Sequence, residues 1–269
     1  MMKTLLRNSG MFLLASLWLA AVVTGCAEQR LPASSPAAGN ASPLLDSTQL
    51  VLVISDGWDA TTARLQRFAR AGVDRNWTPV GRAMAVTIGR TGLAWGRGLH
   101  GQSSLPGPVK REGDGKAPAG AFELPQAFGY AARPDAGQVK LPYLALTDDV
   151  VGVDDVKSRY YNRIVKLSQV NDKDWDSAET MRRSDGLYEW GVLVGHNTSP
   201  VAVGAGSCIF LHIWRGADKP TAGCTAMSRD DMLALLGWLD PQAKPLLVQL
   251  PRETYAPLAG PWGLPAIPQ

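Results

Sequence analysis

Metal centres and disulfide frameworks need residues that this chain hardly has: its 269 residues include three cysteines and three histidines. An odd cysteine count cannot pair completely. His100, His196 and His212 share none of the short paired spacings that structural zinc requires, so neither a metal nor a cofactor is expected. A clustered basic stripe is also missing. The net charge of +3 is spread thinly, which argues against nucleic acid as a partner. The apolar run Met11 to Val23 is too short to span a bilayer comfortably, and no internal repeat is visible. Glycine (28) and proline (19) are plentiful, which predicts short strands and many turns rather than a helical bundle. Apolar residues make up 45% of the chain, which excludes disorder throughout and allows an ample core.

Lys3 and Arg7 precede the apolar run, and Val23-Thr24-Gly25-Cys26 closes it. This pattern resembles a bacterial lipobox, so residues 1–25 read as a lipoprotein signal peptide and Cys26 as the lipidated residue. Without Lys3 and Arg7 the 27 basic residues fall to 25 against 24 acidic ones, and the mature chain is nearly neutral. The expected location is the cell envelope, facing the periplasm, with membrane contact through the Cys26 lipid. Ala27 follows where an inner-membrane lipoprotein often carries Asp, which favours the outer membrane. Residues 26–47, rich in Ala, Ser and Pro, read as a flexible tether. A folded domain is expected over 48–255, followed by a loosely packed Pro-rich tail over 256–269.

Leu50 to Ile54, Val86 to Ile88, Ala119 to Phe122, Val192 to Val194, Ser207 to Trp214 and Leu246 to Leu250 read as strands. Thr61 to Ala71 carries Leu65, Phe68 and Ala69 at helical spacing. The polar 150s to 170s, with two aspartate clusters, predict long loops. Ser228-Arg229-Asp230-Asp231 resembles a capping box that opens a helix running to Leu239, and Asp240-Pro241 closes it. The fold class is mainly β with a few helices. Gly96-Arg97-Gly98-Leu99-His100-Gly101 has the glycine spacing of a dinucleotide site, but Pro106 and Pro108 leave no helix to receive a pyrophosphate. Lys110 and Ala117 likewise break a phosphate-loop pattern.

The chemistry centres on Cys224. It lies in the small-residue loop Thr221-Ala222-Gly223-Cys224-Thr225, just after the His212 strand. A thiol of pKa ~8.5 is mostly protonated at neutral pH, and a neighbouring imidazole can take that proton. Gly223 allows a sharp turn that would aim backbone N–H groups at a developing oxyanion. Cys208, four strand positions from His212, starts ~13 Å away and reads as a buried packing residue. The same residues also allow a structural Cys224, or a disulfide between Cys208 and Cys224.

Gly113-Asp114-Gly115-Lys116-Ala117-Pro118-Ala119-Gly120-Ala121-Phe122, then Leu211-His212, then Ala222-Gly223-Cys224, resembles the L,D-transpeptidase catalytic domain (YkuD-like) family. The likeness is to a branch with a SCIFLHIW…TAGCTAM segment and covers roughly residues 108–250. It implies a β-rich domain, peptidoglycan stem peptides as partners, and Cys224 attack at the carbonyl joining the third, diamino acid residue to D-Ala. His212 would be the base, its other ring nitrogen held by a backbone carbonyl, with Ile213 the first to examine. The N–H groups of Gly223 and Cys224 would serve the oxyanion. Transfer to an amine, hydrolysis by an L,D-carboxypeptidase or amidase, and a non-catalytic wall-binding role all remain open. Ala222 stands where the family commonly has His, and Ala226 where it has Arg. Only eleven residues separate His212 from Cys224, fewer than usual. Arg182, Arg183 and Arg215 are candidate replacements for the lost Arg, because a guanidinium suits a carboxylate. His196 could line the same crevice or be a satisfied structural histidine, and Trp190, Trp214 and Tyr188 could wall it or pack in the core.

Overall fold

The computed structural model describes residues 42–101, 105–132 and 139–267. The proposed signal peptide, Cys26 and the tether up to residue 41 lie outside the described residues. The first half supplies β1 (Gln49–Ser55), β2 (Thr62–Ala69), β3 (Thr78–Thr87), β4 (Leu93–Trp95), β5 (Ala117–Glu123), β6 (Ala127–Gly129) and β7 (Tyr143–Ala145). The second supplies β8 (Val150–Val153), β9 (Arg163–Lys166), β10 (Ala178–Thr180), β11 (Trp190–Leu193), β12 (Phe210–Ile213), β13 (Thr225–Met227) and β14 (Leu246–Pro251). Two α-helices, α1 (Arg229–Trp238) and α2 (Arg252–Trp262), complete this mainly β architecture.

Eleven strands form one sheet in the order β4-β5-β14-β1-β2-β3-β13-β12-β11-β6-β7, and β10-β8-β9 form a second. β1 is buried along its whole length, as its run of Leu, Val and Ile requires, and pairs parallel to β14 with Leu50 opposite Leu246. Each such side chain contributes about 1.5–3 kcal/mol on burial. The Ser228 hydroxyl accepts the Asp231 N–H at 3.1 Å and so caps α1.

Four expectations need correction. Thr62–Ala69 is a strand, not a helix. A bulge between Leu65 and Arg67 shifts its register against β3, so Leu65 and Phe68 both turn inward although they are three residues apart. The 150s to 170s do hold the expected loops, over 154–162 and 170–177, but also strands of the small sheet, and their aspartates tie its turns. Asp155 accepts the N–H groups of Lys157 and Asp176, and Asp149 holds both the N–H and the hydroxyl of Ser168. The Pro-rich stretch after Tyr255 is not loose: α2 runs to Trp262, whose ring is buried, and Gly263 closes it at φ +65°. The end of the expected tether is packed as well, with Leu44 buried and the Ser42 hydroxyl donating to Trp262 O.

Candidate active site

β12 and β13 run parallel, with Leu211 opposite Thr225 and His212 opposite Ala226. One residue before Thr225, Cys224 falls beside Phe210, whose N–H donates to Cys224 Sγ at 3.4 Å. Two positions along a strand and one strand across put the Cα atoms of Cys224 and His212 roughly 8 Å apart. Both side chains line one crevice of about 470 Å³.

Thr221 organises the loop. Its hydroxyl donates to Cys224 O at 2.6 Å and accepts the Gly223 N–H at 3.1 Å. Thr221 N–H reaches Ile88 O (2.9 Å), and Arg90 N–H reaches Thr221 O (2.8 Å), so the loop is fastened to the segment that follows β3. At Gly223, φ is +156° and a Cβ would sit 3.1 Å from Lys116 O. The expectation for Gly223 as an oxyanion donor changes here: its N–H is already committed to Thr221. The Cys224 N–H, which has no hydrogen bond among the described residues, is the available donor.

His212 Nδ1 lies 2.7 Å from Ile213 O. A carbonyl only accepts, so Nδ1 carries the proton and Nε2 keeps its lone pair. The Tyr188 ring meets the imidazole edge-on, centroids 5.1 Å apart. Burial pushes the His212 pKa down to about 4, opposed by the bond to Ile213 O. Burial, and next the Glu179 carboxylate, push the Cys224 thiol up to about 12, opposed by the Phe210 N–H, Lys110 and Arg183. At rest the pair is therefore a neutral thiol and a neutral imidazole.

The small sheet supplies the opposite wall through Asp154 and Glu179. Glu179 Oε1 accepts from Tyr188 OH (2.6 Å) and pairs with Arg183 (3.4 Å). Arg183 also holds Asp185 through two bonds of 2.9 and 2.6 Å and lies over the Tyr188 ring. Asp185, shared with Arg215 at 3.2 Å, is kept well below the ordinary carboxylate range, chiefly by its bond from Arg183.

Arg183, Arg215 and Trp214 thus come together with Cys224 and His212, whereas Arg182 and His196 do not. Arg182 donates to Leu146 O at 3.1 Å and lies over the Tyr130 ring. His196 is 1% exposed; its Nδ1 accepts the Arg97 N–H at 3.2 Å and its Nε2 faces Ala205 O at 3.0 Å. One neutral tautomer satisfies both contacts, which makes His196 a structural residue. Trp190 packs in the main core beside Tyr143. Cys208 precedes the strand at φ +53°, so the alternation read through it breaks there. It lines the crevice near Cys224, and both cysteines are free thiols. Among the described residues no cluster of His, Cys, Asp and Glu could hold a metal ion.

Sequence reasoning missed Thr221, Glu179 and Arg90. A hydroxyl three residues before Cys224 is a recognisable local turn signal. Glu179 gives no such signal, because it reaches the crevice from another sheet.

A thiol and an oriented imidazole in one crevice of a β-rich domain are the parts of a nucleophilic acyl-transfer centre. The family model described as YkuD, the L,D-transpeptidase catalytic domain, matches residues 58–248, and the chain belongs to that family. No curated protein and no solved structure matches the chain.

Proposed function

We propose that the protein is a cysteine L,D-transpeptidase of peptidoglycan stem peptides, held in the cell envelope by a lipid on Cys26. The observation that carries the reading is the shared crevice of Cys224 and His212, with Nδ1 fixed by Ile213 O and Nε2 left as a base. Because both groups rest neutral, the thiol proton passes to Nε2 as the S–C bond forms at the carbonyl before D-Ala. The Cys224 N–H stabilises the resulting oxyanion. Collapse breaks the C–N bond, His212 returns its proton to the D-Ala nitrogen, and D-Ala leaves a thioester behind. An acceptor amine then attacks, gives a proton to His212 and expels the thiol. The product is a 3→3 cross-link or a wall-attached protein. Water in place of the amine gives an L,D-carboxypeptidase from the same site.

Incubation with disaccharide-tetrapeptides and analysis of products by mass tests this. Dimers that lack one D-Ala are expected, and none with Cys224→Ala. Monomeric tripeptide alone replaces transfer with hydrolysis. Unchanged products from C224A would overturn the site assignment.

A further inference from the structure

Five cationic side chains line the Cys224 crevice: Arg90, Lys110, Arg183, Arg215 and Lys219. Four already have partners. Lys110 holds Asp114 at 2.6 Å, Arg183 and Arg215 share Asp185 at 2.6 and 3.2 Å, and Lys219 meets Asp218 at 3.0 Å. Among the described residues, Arg90 has no ion pair and no side-chain hydrogen bond.

Its backbone is nevertheless fixed. The Arg90 N–H donates to Thr221 O, and the Thr221 hydroxyl holds Cys224 O, so two hydrogen bonds connect the Arg90 backbone to the nucleophile. The side chain lies over Gly115, where a Cβ would come within 3.0 Å of Arg90 Cγ and Nε and 3.1 Å of Cζ. A residue larger than glycine at 115 would displace the guanidinium.

A stem tetrapeptide ends in a carboxylate one residue beyond the bond that Cys224 attacks, so a seated substrate brings this charge into the crevice. Glu112, Asp154 and Glu179 line the same space and repel it. Lys110 and Arg183, the two less exposed of the paired cations, would have to abandon their carboxylates to help, which leaves a charge uncompensated. Arg215 and Lys219 are exposed, but a nearby carboxylate already offsets each. Arg90 has only water to give up. Position 226, where the resemblance expects Arg, is Ala.

We propose that Arg90 binds the terminal carboxylate of the departing D-Ala residue and selects stem peptides that end in a free acid. This rests on the transpeptidase reading of the site. The test compares kcat/KM for two tetrapeptides, one with a free C-terminal carboxylate and one with a carboxamide. Wild type is expected to prefer the acid. Arg90→Gln should lose about 10- to 100-fold on the acid, mostly through KM, with little change on the amide. Arg90→Lys should recover part of the loss, as a charge without the bidentate fork. If wild type turns over the acid and R90Q keeps the wild-type acid-to-amide ratio, the Arg90 assignment is wrong. If wild type turns over neither peptide, the transpeptidase reading falls and the Arg90 assignment with it.

Discussion

The neutral resting state of Cys224 and His212 sets the reactivity of the thiol toward a small alkylating agent. With its pKa pushed up to about 12, against ~8.5 for a free cysteine, the thiolate fraction at neutral pH is about 3,000-fold smaller. Each thiolate formed is more nucleophilic, since reactivity rises by about 0.4–0.5 of a decade per pKa unit. The two effects leave alkylation about 100-fold slower than in the unfolded chain. The assay is the rate of iodoacetamide capture at the Cys224 peptide, read by mass from pH 6 to 10, in native and denatured protein. Restricted access alone also slows capture, but the rate then levels off near pH 8.5. A raised pKa keeps it climbing about tenfold per pH unit through pH 10. Glu179→Gln removes the second-largest cause of the upward shift while keeping an oxygen for Tyr188 OH. It should move the whole curve to lower pH. Native capture as fast as denatured capture, or an inflection below pH 7, would show a resting thiolate–imidazolium pair and refute the neutral-pair mechanism.

Two further outcomes follow from the buried histidines. His212 titrates near 4 because burial disfavours its cation, so kcat/KM for D-Ala release should hold between pH 7 and 5. It should fall only near pH 4; an acid limb centred at 6.5 would contradict the assignment of His212 as the base. His196→Ala leaves the Arg97 N–H and Ala205 C=O without their partner, at a cost of about 2–4 kcal/mol. Thermal melting should show that loss while kcat/KM of the folded fraction stays unchanged. The His196 pKa is depressed to about 4 by burial, so its stabilising share is complete above ~6.5 and is lost as pH falls toward 4. The variant should lack that part of the acid sensitivity, and an identical acid melting profile would count against it.

The central strands and α1 were legible because each announces itself locally, by an apolar run at β1 and β14 and by a capping serine before α1. β2 was not, since a bulge turns a period of two into an apparent period of three, and Leu65 with Phe68 then imitates a helical face. The small sheet was hidden by its own aspartates, which read as solvated loops but serve as acceptors for turn N–H groups. Within the crevice, Cys224 and His212 follow from the strand and the loop after it together with the family motif, and the resemblance alone points to the Ile213 carbonyl. Glu179 and Arg90 do not, because they meet the thiol only once distant strands have paired. Arg182 and Arg183 are indistinguishable as neighbouring letters; their opposite orientations depend on the Tyr130 and Tyr188 rings.

The parallel contact between β1 and β14 also governs how the molecule must be made. β1 is the first strand of the described domain to be synthesised and one of the most apolar, yet one of its two edges stays unsatisfied until Leu246–Pro251 has emerged. Pairings between the two extremities of a domain form slowly, because a long loop must close before any contact rewards it. For most of synthesis the nascent chain therefore presents an open, aggregation-prone strand edge. Removal of β14 with α2 should leave no smaller stable remnant, because the missing strand is an interior one that joins β5 to β1.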